Sequence, residues 1–166
     1  MLFSQKMNAA INEQIGREFA ASLEYVSIAS SFASEGLAEL AKHFYRQAGE
    51  ERDHAMRFVK YVVDAGGKVA IPAIPAPKST FASAEEAVKD SLGWEVTVTK
   101  HINALVDLAI HESDHTTQNF LQWFVSEQLE EVSSMETLLS VVRRMGESGL
   151  LTVEAMLARK GASENS

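Results

Sequence analysis

Prolines are confined to one short stretch of this 166-residue chain, the segment KVAIPAIPAPKSTF, which holds all three of them. A proline inside a helix removes a backbone hydrogen bond and collides with the preceding turn, so this segment is not helical. On either side of it, apolar residues recur at the three-to-four-residue spacing of an α-helix, and glycines are few. We therefore expect an all-α protein with long helices and one long connection.

Four long helices and a short fifth one are predicted from this spacing and from the residues that begin and end each pattern. The third helix begins at Ser83, which with Glu86 has the spacing of a capping box. The helices are expected over about residues 4–34, from Leu37 to Gly66, from Ser83 to the polar turn HESDHTT, from that turn to Gly146, and over about residues 150–159. The domain is expected to cover residues 1–160, and the polar tail 161–166 to be disordered.

The lengths of the connections predict the topology. Short turns join the first helix to the second and the third to the fourth, so each pair is expected to form an antiparallel hairpin. About 17 residues separate the second helix from the third. Extended, they could span ~55 Å, more than the ~40 Å length of the helices beside them. The sequence predicts a four-helix bundle with one long crossover connection and a short fifth C-terminal helix.

Each long helix carries a glutamate inside its apolar stripe. These residues are Glu18, Glu51, Glu95 and Glu131. Burying an ionised carboxylate without a partner is costly, and four neighbouring carboxylates would also repel one another. Any single one could lie on a solvated face, but four at similar depth indicate a bound cation that supplies the missing positive charge.

The ligand types indicate which metal is bound. Glu51 and His54 form a Glu-x-x-His pair on one helix face, whereas the fourth helix offers Gln128 and Glu131 at the same spacing. The chain has no cysteine, so thiolate sites are excluded. Carboxylates with a single imidazole suit iron or manganese better than structural zinc.

Three segments in these helices resemble the non-haem bacterial ferritins: NEQIGREFAASLEY, EERDH and FLQWFVSEQLEE. The resemblance covers nearly the whole chain. It implies a ferritin-like bundle with ferroxidase activity, which oxidises Fe(II) with dioxygen or peroxide. It also implies iron storage as a ferric mineral in a hollow homo-oligomeric shell of about 24 subunits.

The resemblance also implies the iron ligands. The first iron position would use Glu18, Glu51 and His54. The second would use Glu51 as a bridge together with Glu95 and Glu131, with Gln128 beside it. A third position on the cavity side would use Glu50, Glu127 and Glu130, which can equally be read as a solvated acidic face.

Three further features have two readings. Tyr25 would lie near the di-iron site, or is a core tyrosine with a hydrogen-bonded hydroxyl. Trp123 would donate an electron, or is a core packing residue. The HESDH turn caps the fourth helix, or lines an acidic pore on the three-fold axes of the shell.

Two differences from the bacterioferritins favour the non-haem ferritins as the family that this chain resembles. Bacterioferritins carry haem on a methionine directly after the Glu of the second-helix motif, where this chain has Arg52. They also have a second Glu-x-x-His, which this chain lacks. We therefore expect no haem. Two alternatives stay open at this point: a metal-binding shell without turnover, and a di-iron substrate oxidase.

The balance of charges excludes some partners. With 15 basic and 23 acidic residues the net charge is −8, which argues against binding nucleic acid or an anionic membrane. The first residues do not form a basic region followed by an apolar run, and no apolar stretch approaches the ~20 residues of a membrane span. A cytoplasmic protein is expected.

Overall fold

The computed structural model describes all residues from Met1 to Ser166. The α-helices are α1 (Gln5–Ser34), α2 (Ala38–Asp64), α3 (Ala84–His111), α4 (His115–Met145) and α5 (Leu150–Glu164). There is no strand, which confirms the all-α prediction. None of the helices has both the length and the apolar character that crossing a membrane requires.

The predicted helix starts agree with the observed caps. The hydroxyl of Ser4 accepts a hydrogen bond from the Met7 backbone nitrogen at 2.9 Å and caps α1. At α3, the Ser83 hydroxyl accepts from the Glu86 backbone nitrogen at 3.0 Å. The Glu86 carboxylate accepts from the backbone nitrogen of Ala82, one residue earlier than in a standard capping box. These side chains satisfy donors that would otherwise lack partners at the helix ends.

Helix α5 is longer than the sequence predicted. It continues to Glu164, so residues 161–164 of the expected disordered tail are helical. Glu164 lies 3.4 Å from the Arg46 guanidinium of α2. At its other end, the Glu154 carboxylate accepts hydrogen bonds from the backbone nitrogens of Glu39 and Leu40, at 2.7 and 2.9 Å. Because α2 has no side-chain cap of its own, α5 supplies one.

The connection between α2 and α3 runs along α1 from its beginning towards its end. Near the start of α1, the Asn12 amide donates to the Lys68 carbonyl at 2.9 Å. Further along, the Lys78 backbone nitrogen donates to the Glu24 carboxylate at 3.1 Å. The chain therefore enters α3 at the end of the bundle where α2 began, and α3 runs parallel to α2. The predicted crossover is confirmed.

Close packing holds this connection against α1. A Cβ atom on Gly16 would come within 2.4 Å of the Pro72 ring. No side chain larger than hydrogen fits there without moving the connection. Gly16 therefore lets the proline segment lie directly on the helix.

A polar layer divides the core into two apolar clusters. One cluster surrounds Phe32 and Phe44 at the end of the bundle where α5 packs. The other surrounds Phe58 and Phe124 at the opposite end. Fully burying a side chain of this size contributes ~1.5–3 kcal/mol. The two clusters fix the helices on either side of the polar layer and so determine its geometry.

Candidate metal centre

The polar layer consists of carboxylates from all four long helices and one imidazole. Their exposed fractions are Glu18 1%, Glu51 0%, His54 4%, Glu95 1% and Glu131 6%. Each of these side chains is buried because the helical period places it in the apolar stripe of its helix. The structure therefore brings together the five ligands that the resemblance implied for the first two iron positions.

Glu18, Glu51 and His54 form the first group. Their ligand atoms all lie within 4.8 Å of one another. His54 Nδ1 is 3.3 Å from Oε2 of Glu51 and 4.0 Å from Oε2 of Glu18. None of these atoms has a hydrogen-bond partner, and the second oxygen of Glu51 has none either. Buried polar atoms are nearly always paired, so a group of unpaired ligand atoms fits a cation that would bind between them.

Glu51, Glu95 and Glu131 form the second group, again with ligand atoms within 4.8 Å of one another. Glu51 belongs to both groups, which is the arrangement a bridging carboxylate needs. Two of its carboxylates accept hydrogen bonds from neighbouring amides. The Gln128 amide donates to Oε2 of Glu95 at 3.2 Å, and the Gln47 amide donates to Oε2 of Glu131 at 3.1 Å.

Three supporting side chains were not identified as site residues from the sequence. Gln14 donates to Oε1 of Glu18 at 2.9 Å, and Thr99 accepts from Gln128 at 3.1 Å. The third is Gln47. Gln14 and Gln47 each precede a ligand glutamate by one helical turn inside the apolar stripe. A buried amide at that spacing is the signal that could have identified them.

In the metal-free protein, burial raises the pKa of all four carboxyl groups. The pKa values of Glu18 and Glu51 are raised well above the ordinary range, first by burial and then by a facing carboxylate. Burial and the Glu95 charge raise the pKa of Glu131 to about 7. Burial also raises the pKa of Glu95, although hydrogen bonds from Tyr25 and Gln128 oppose the shift. The layer therefore lacks positive charge, and a divalent cation would supply it.

The structure does not group the residues expected at the third position. Glu127 shares a group with His54 and Glu131, in which the ligand atoms lie within 4.8 Å of one another. The side chain of Glu127 is 25% exposed. Glu50, 44% exposed, lies 3.8 Å from Arg46 instead, and Glu130 is exposed on α4. Glu130 therefore lies on a solvated acidic face, and Glu50 is partly exposed.

Tyr25 is completely buried and lies beside the layer. Its hydroxyl donates to the Glu95 carboxylate and contacts the Ser91 carbonyl at 3.4 Å. Burial and the Glu95 charge raise the pKa of Tyr25 well above its ordinary value, so the hydroxyl keeps its proton. Both readings of this residue agree with the observed position.

Trp123 is not a core residue, contrary to the packing prediction, because 37% of it is exposed. Its ring meets His54 edge-on with the centroids 5.4 Å apart. The Arg57 guanidinium lies 3.8 Å from the centroid of the indole. Trp123 is one residue before the buried Phe124 and lies at the edge of the buried face of α4, which is why it is only partly covered.

The HESDH turn caps α4 as expected. Asp114 accepts a hydrogen bond from the Thr117 backbone nitrogen at 2.9 Å. Glu112 accepts from the Ser4 hydroxyl at 2.7 Å, so the turn is also tied to the start of α1. Both carboxylates keep access to solvent, and the pore reading stays a prediction.

Comparison with known proteins agrees with this fold. The family model for the ferritin-like domain matches residues 8–145, which is most of the chain. The chain belongs to the ferritin family. Ferritin BfrB of Mycolicibacterium smegmatis is 43% identical over 155 residues, covering 93% of this chain and 85% of that protein. The bacterial non-heme ferritin of Staphylococcus epidermidis is 35% identical over 165 residues, covering 98% and 99%.

A solved structure of an open pore ferritin from the hyperthermophilic archaeon Archaeoglobus fulgidus is also similar to this ferritin. The TM-score is 0.91 at 38% identity, and the match covers 94% of this chain and 96% of that one. The resemblance and the ferritin-like bundle predicted from the sequence are thereby confirmed. Family and fold together support iron storage in a protein shell as the general function of this ferritin.

Proposed function

We propose that this ferritin oxidises Fe(II) to Fe(III) in the polar layer and deposits the product as a mineral inside a hollow homo-oligomeric shell. Iron is the substrate. The observation that supports this proposal is the position of Glu51, which belongs to two groups of buried ligands at once. Two ferrous ions in these groups would share one carboxylate and react as a pair.

The reaction needs two electrons from the pair. Each Fe(II) loses one electron, and together with two protons they reduce dioxygen to hydrogen peroxide, or peroxide to two water molecules. The buried carboxylates favour this oxidation because their negative charges stabilise Fe(III) more than Fe(II) in a low-dielectric layer.

The hydrogen bonds of the layer support an order of binding. At the first position, Oε2 of Glu18 and Nδ1 of His54 have no hydrogen-bond partner, so a cation breaks no hydrogen bond there. At the second position, Tyr25 and Gln128 hold the two oxygens of Glu95. Each oxygen keeps a lone pair for a second cation, and these bonds help to keep Glu95 ionised, but this position offers no imidazole nitrogen and fewer unpaired atoms than the first. We infer that the first position fills before the second and holds iron more tightly.

The outer carboxylates and the assembly complete the proposal. Glu50, Glu127 and Glu130 would form a third, weaker position through which iron leaves for the mineral. By its resemblance to bacterial ferritins the shell would contain about 24 subunits, with α5 near the four-fold axes. A cytoplasmic location and the absence of haem stay predictions.

Aerobic addition of Fe(II) to metal-free protein, followed by size exclusion, tests this function. We expect rapid oxidation and an iron-loaded particle of hundreds of kilodaltons. A particle of that size that takes up no iron faster than buffer would indicate a structural shell without turnover. Rapid oxidation in a particle of one or two subunits would instead indicate a di-iron oxidase.

A further inference from the structure

His54 presents one ring nitrogen to the first position. Its Nδ1 is buried, lies 3.3 Å from Oε2 of Glu51 and makes no hydrogen bond. A nitrogen that binds a cation must offer a lone pair, because a protonated ring nitrogen can only donate. In a neutral imidazole with a free Nδ1, the single proton is on Nε2.

Glu127 is the acceptor that faces the other ring nitrogen. Its Oε1 lies 3.8 Å from Nε2 of His54. This distance is longer than a hydrogen bond. The Glu127 side chain is 25% exposed, and rotation about its own side-chain bonds can shorten this distance without moving α4. A carboxylate in this place favours the proton on Nε2. In the metal-free protein the oxygens of Glu51 and Glu18, 3.3 and 4.0 Å from Nδ1, attract the proton to that nitrogen instead, and a cation bound between them removes this attraction.

The ring of His54 cannot easily turn over to exchange its two nitrogens. Trp123 and Phe124 both meet it edge-on, with centroids 5.4 and 6.1 Å away. Trp123 is in turn covered by Arg57. Packing thus holds the plane of the ring. The groups facing the two nitrogens then determine which nitrogen carries the proton.

We propose that Glu127 is a positioning residue that keeps the His54 proton on Nε2, so that Nδ1 binds a cation with Glu18 and Glu51. Histidine ligands commonly donate their second N–H to a carboxylate, which orients the ring and raises its basicity. This assignment rests on the proposed function at the first position. This role is separate from the third position proposed above, because it needs only the contact between Glu127 and His54, whereas the third position would also need Glu50 and Glu130.

Titration with Co²⁺ under anaerobic conditions tests this assignment in metal-free, fully assembled protein. The visible absorption bands of bound Co²⁺ report its affinity and its ligands without any oxidation step. In Glu127→Gln the amide oxygen still accepts from Nε2, so the first Co²⁺ should bind within about threefold of the native affinity. In Glu127→Ala the acceptor is lost, and the first Co²⁺ should bind ~10–100-fold more weakly.

Two variants make the comparison specific. Glu136→Gln removes an exposed carboxylate from α4 far from His54 and controls for charge alone. Glu130→Gln shows how far the loss of a proposed third-position ligand changes the affinity for the first Co²⁺. Thermal melting of each metal-free variant confirms that it folds, which is expected because Glu127 lies at the surface of the bundle.

Two results would be decisive against the assignment, and two others would overturn the first position on which it rests. Native affinity for the first Co²⁺ in Glu127→Ala would show that His54 needs no acceptor. Equal losses in Glu127→Gln and Glu127→Ala would show that the charge matters, and not the hydrogen bond. If the native protein binds no Co²⁺, or if His54→Ala binds it equally well, the proposed first position itself is wrong.

Discussion

The side-chain amide of Gln128 lies 3.2 Å from Oε2 of Glu95, so α4 donates a hydrogen bond to a carboxylate that α3 carries. The same amide reaches the hydroxyl of Thr99 at 3.1 Å. Gln128 stands where a complete second Glu-x-x-His would have a glutamate. An amide there can stabilise the charge of Glu95, whereas a carboxylate would repel it.

Replacing Gln128 with Leu should therefore weaken the second position. Removing the donor leaves a buried oxygen of Glu95 without a partner, which costs ~1–3 kcal/mol. We expect a lower melting temperature of the metal-free protein and slower oxidation of the second equivalent of iron. Calorimetry and stopped-flow oxidation measure the two effects. Gln122→Leu, at an exposed position of α4, is the matched control. A Gln128→Leu variant that behaves like this control would show that the hydrogen bond is unimportant.

The metal-free protein should lose stability as the pH rises from about 5 to 8. Its buried carboxyl groups have raised pKa values, with that of Glu131 at about 7 and those of Glu18 and Glu51 well above the ordinary range. The folded state then binds more protons than the unfolded state, whose carboxyl groups titrate near ~4.3. Stability is therefore greatest below the unfolded pKa and falls as these groups ionise.

Melting temperatures at several pH values measure this dependence. Bound Co²⁺ should reverse it, because ligands must lose their protons to bind a metal. The added stabilisation should therefore grow with pH. A metal-free melting temperature that rises steadily from pH 5 to 8 would contradict the raised carboxyl pKa values.

The double change Glu51→Leu with Glu95→Leu tests whether the buried carboxylates serve metal binding or the fold. Replacing buried charges with apolar groups of similar size is often neutral or stabilising, by ~1–4 kcal/mol. The metal-free melting temperature should hold or rise, while rapid Fe(II) oxidation and stabilisation by metal should both be lost. A double mutant that melts far lower and still oxidises iron quickly would mean that these carboxylates are structural.

The HESDH turn should guide iron if it lines a pore. Glu112→Gln with Asp114→Asn removes two charges, and the asparagine still caps α4. We expect slower oxidation at low iron and a weaker dependence on ionic strength, because the negative field that attracts Fe²⁺ is reduced. Glu13→Gln with Glu35→Gln removes two exposed charges elsewhere and serves as the control. Equal rates for the two variants at low salt would leave this turn with a capping role only.

The purified protein should contain no stoichiometric haem. Arg52 occupies the position of the methionine that ligates haem in bacterioferritins, and its side chain is 64% exposed beside Asp53. A guanidinium cannot bind haem iron. Absorption spectroscopy checks this directly, and a Soret band equivalent to one haem for each pair of subunits would refute it.

Much of the fold and the four carboxylates of the buried polar layer could be predicted from the sequence alone. The confined prolines and the length of the connection predicted the crossover, since neither depends on distant contacts. Helical periodicity placed Glu18, Glu51, Glu95 and Glu131 in the core, because the period of a helix determines which residues share its buried face. The predicted end of α5 was wrong. The helix continues to Glu164, which contacts Arg46, and the composition of the tail does not reveal this contact.

Only the tertiary structure decided which of these side chains meet and which atoms stay unpaired. Contacts between helices depend on how far each one is rotated and shifted against its neighbour, which no period within a single helix specifies. Gln47 therefore reaches Glu131, and Glu127 faces His54 instead of joining Glu50 and Glu130. The sequence determined that carboxylates enter the core, and the packing of the two apolar clusters determined how they are arranged there.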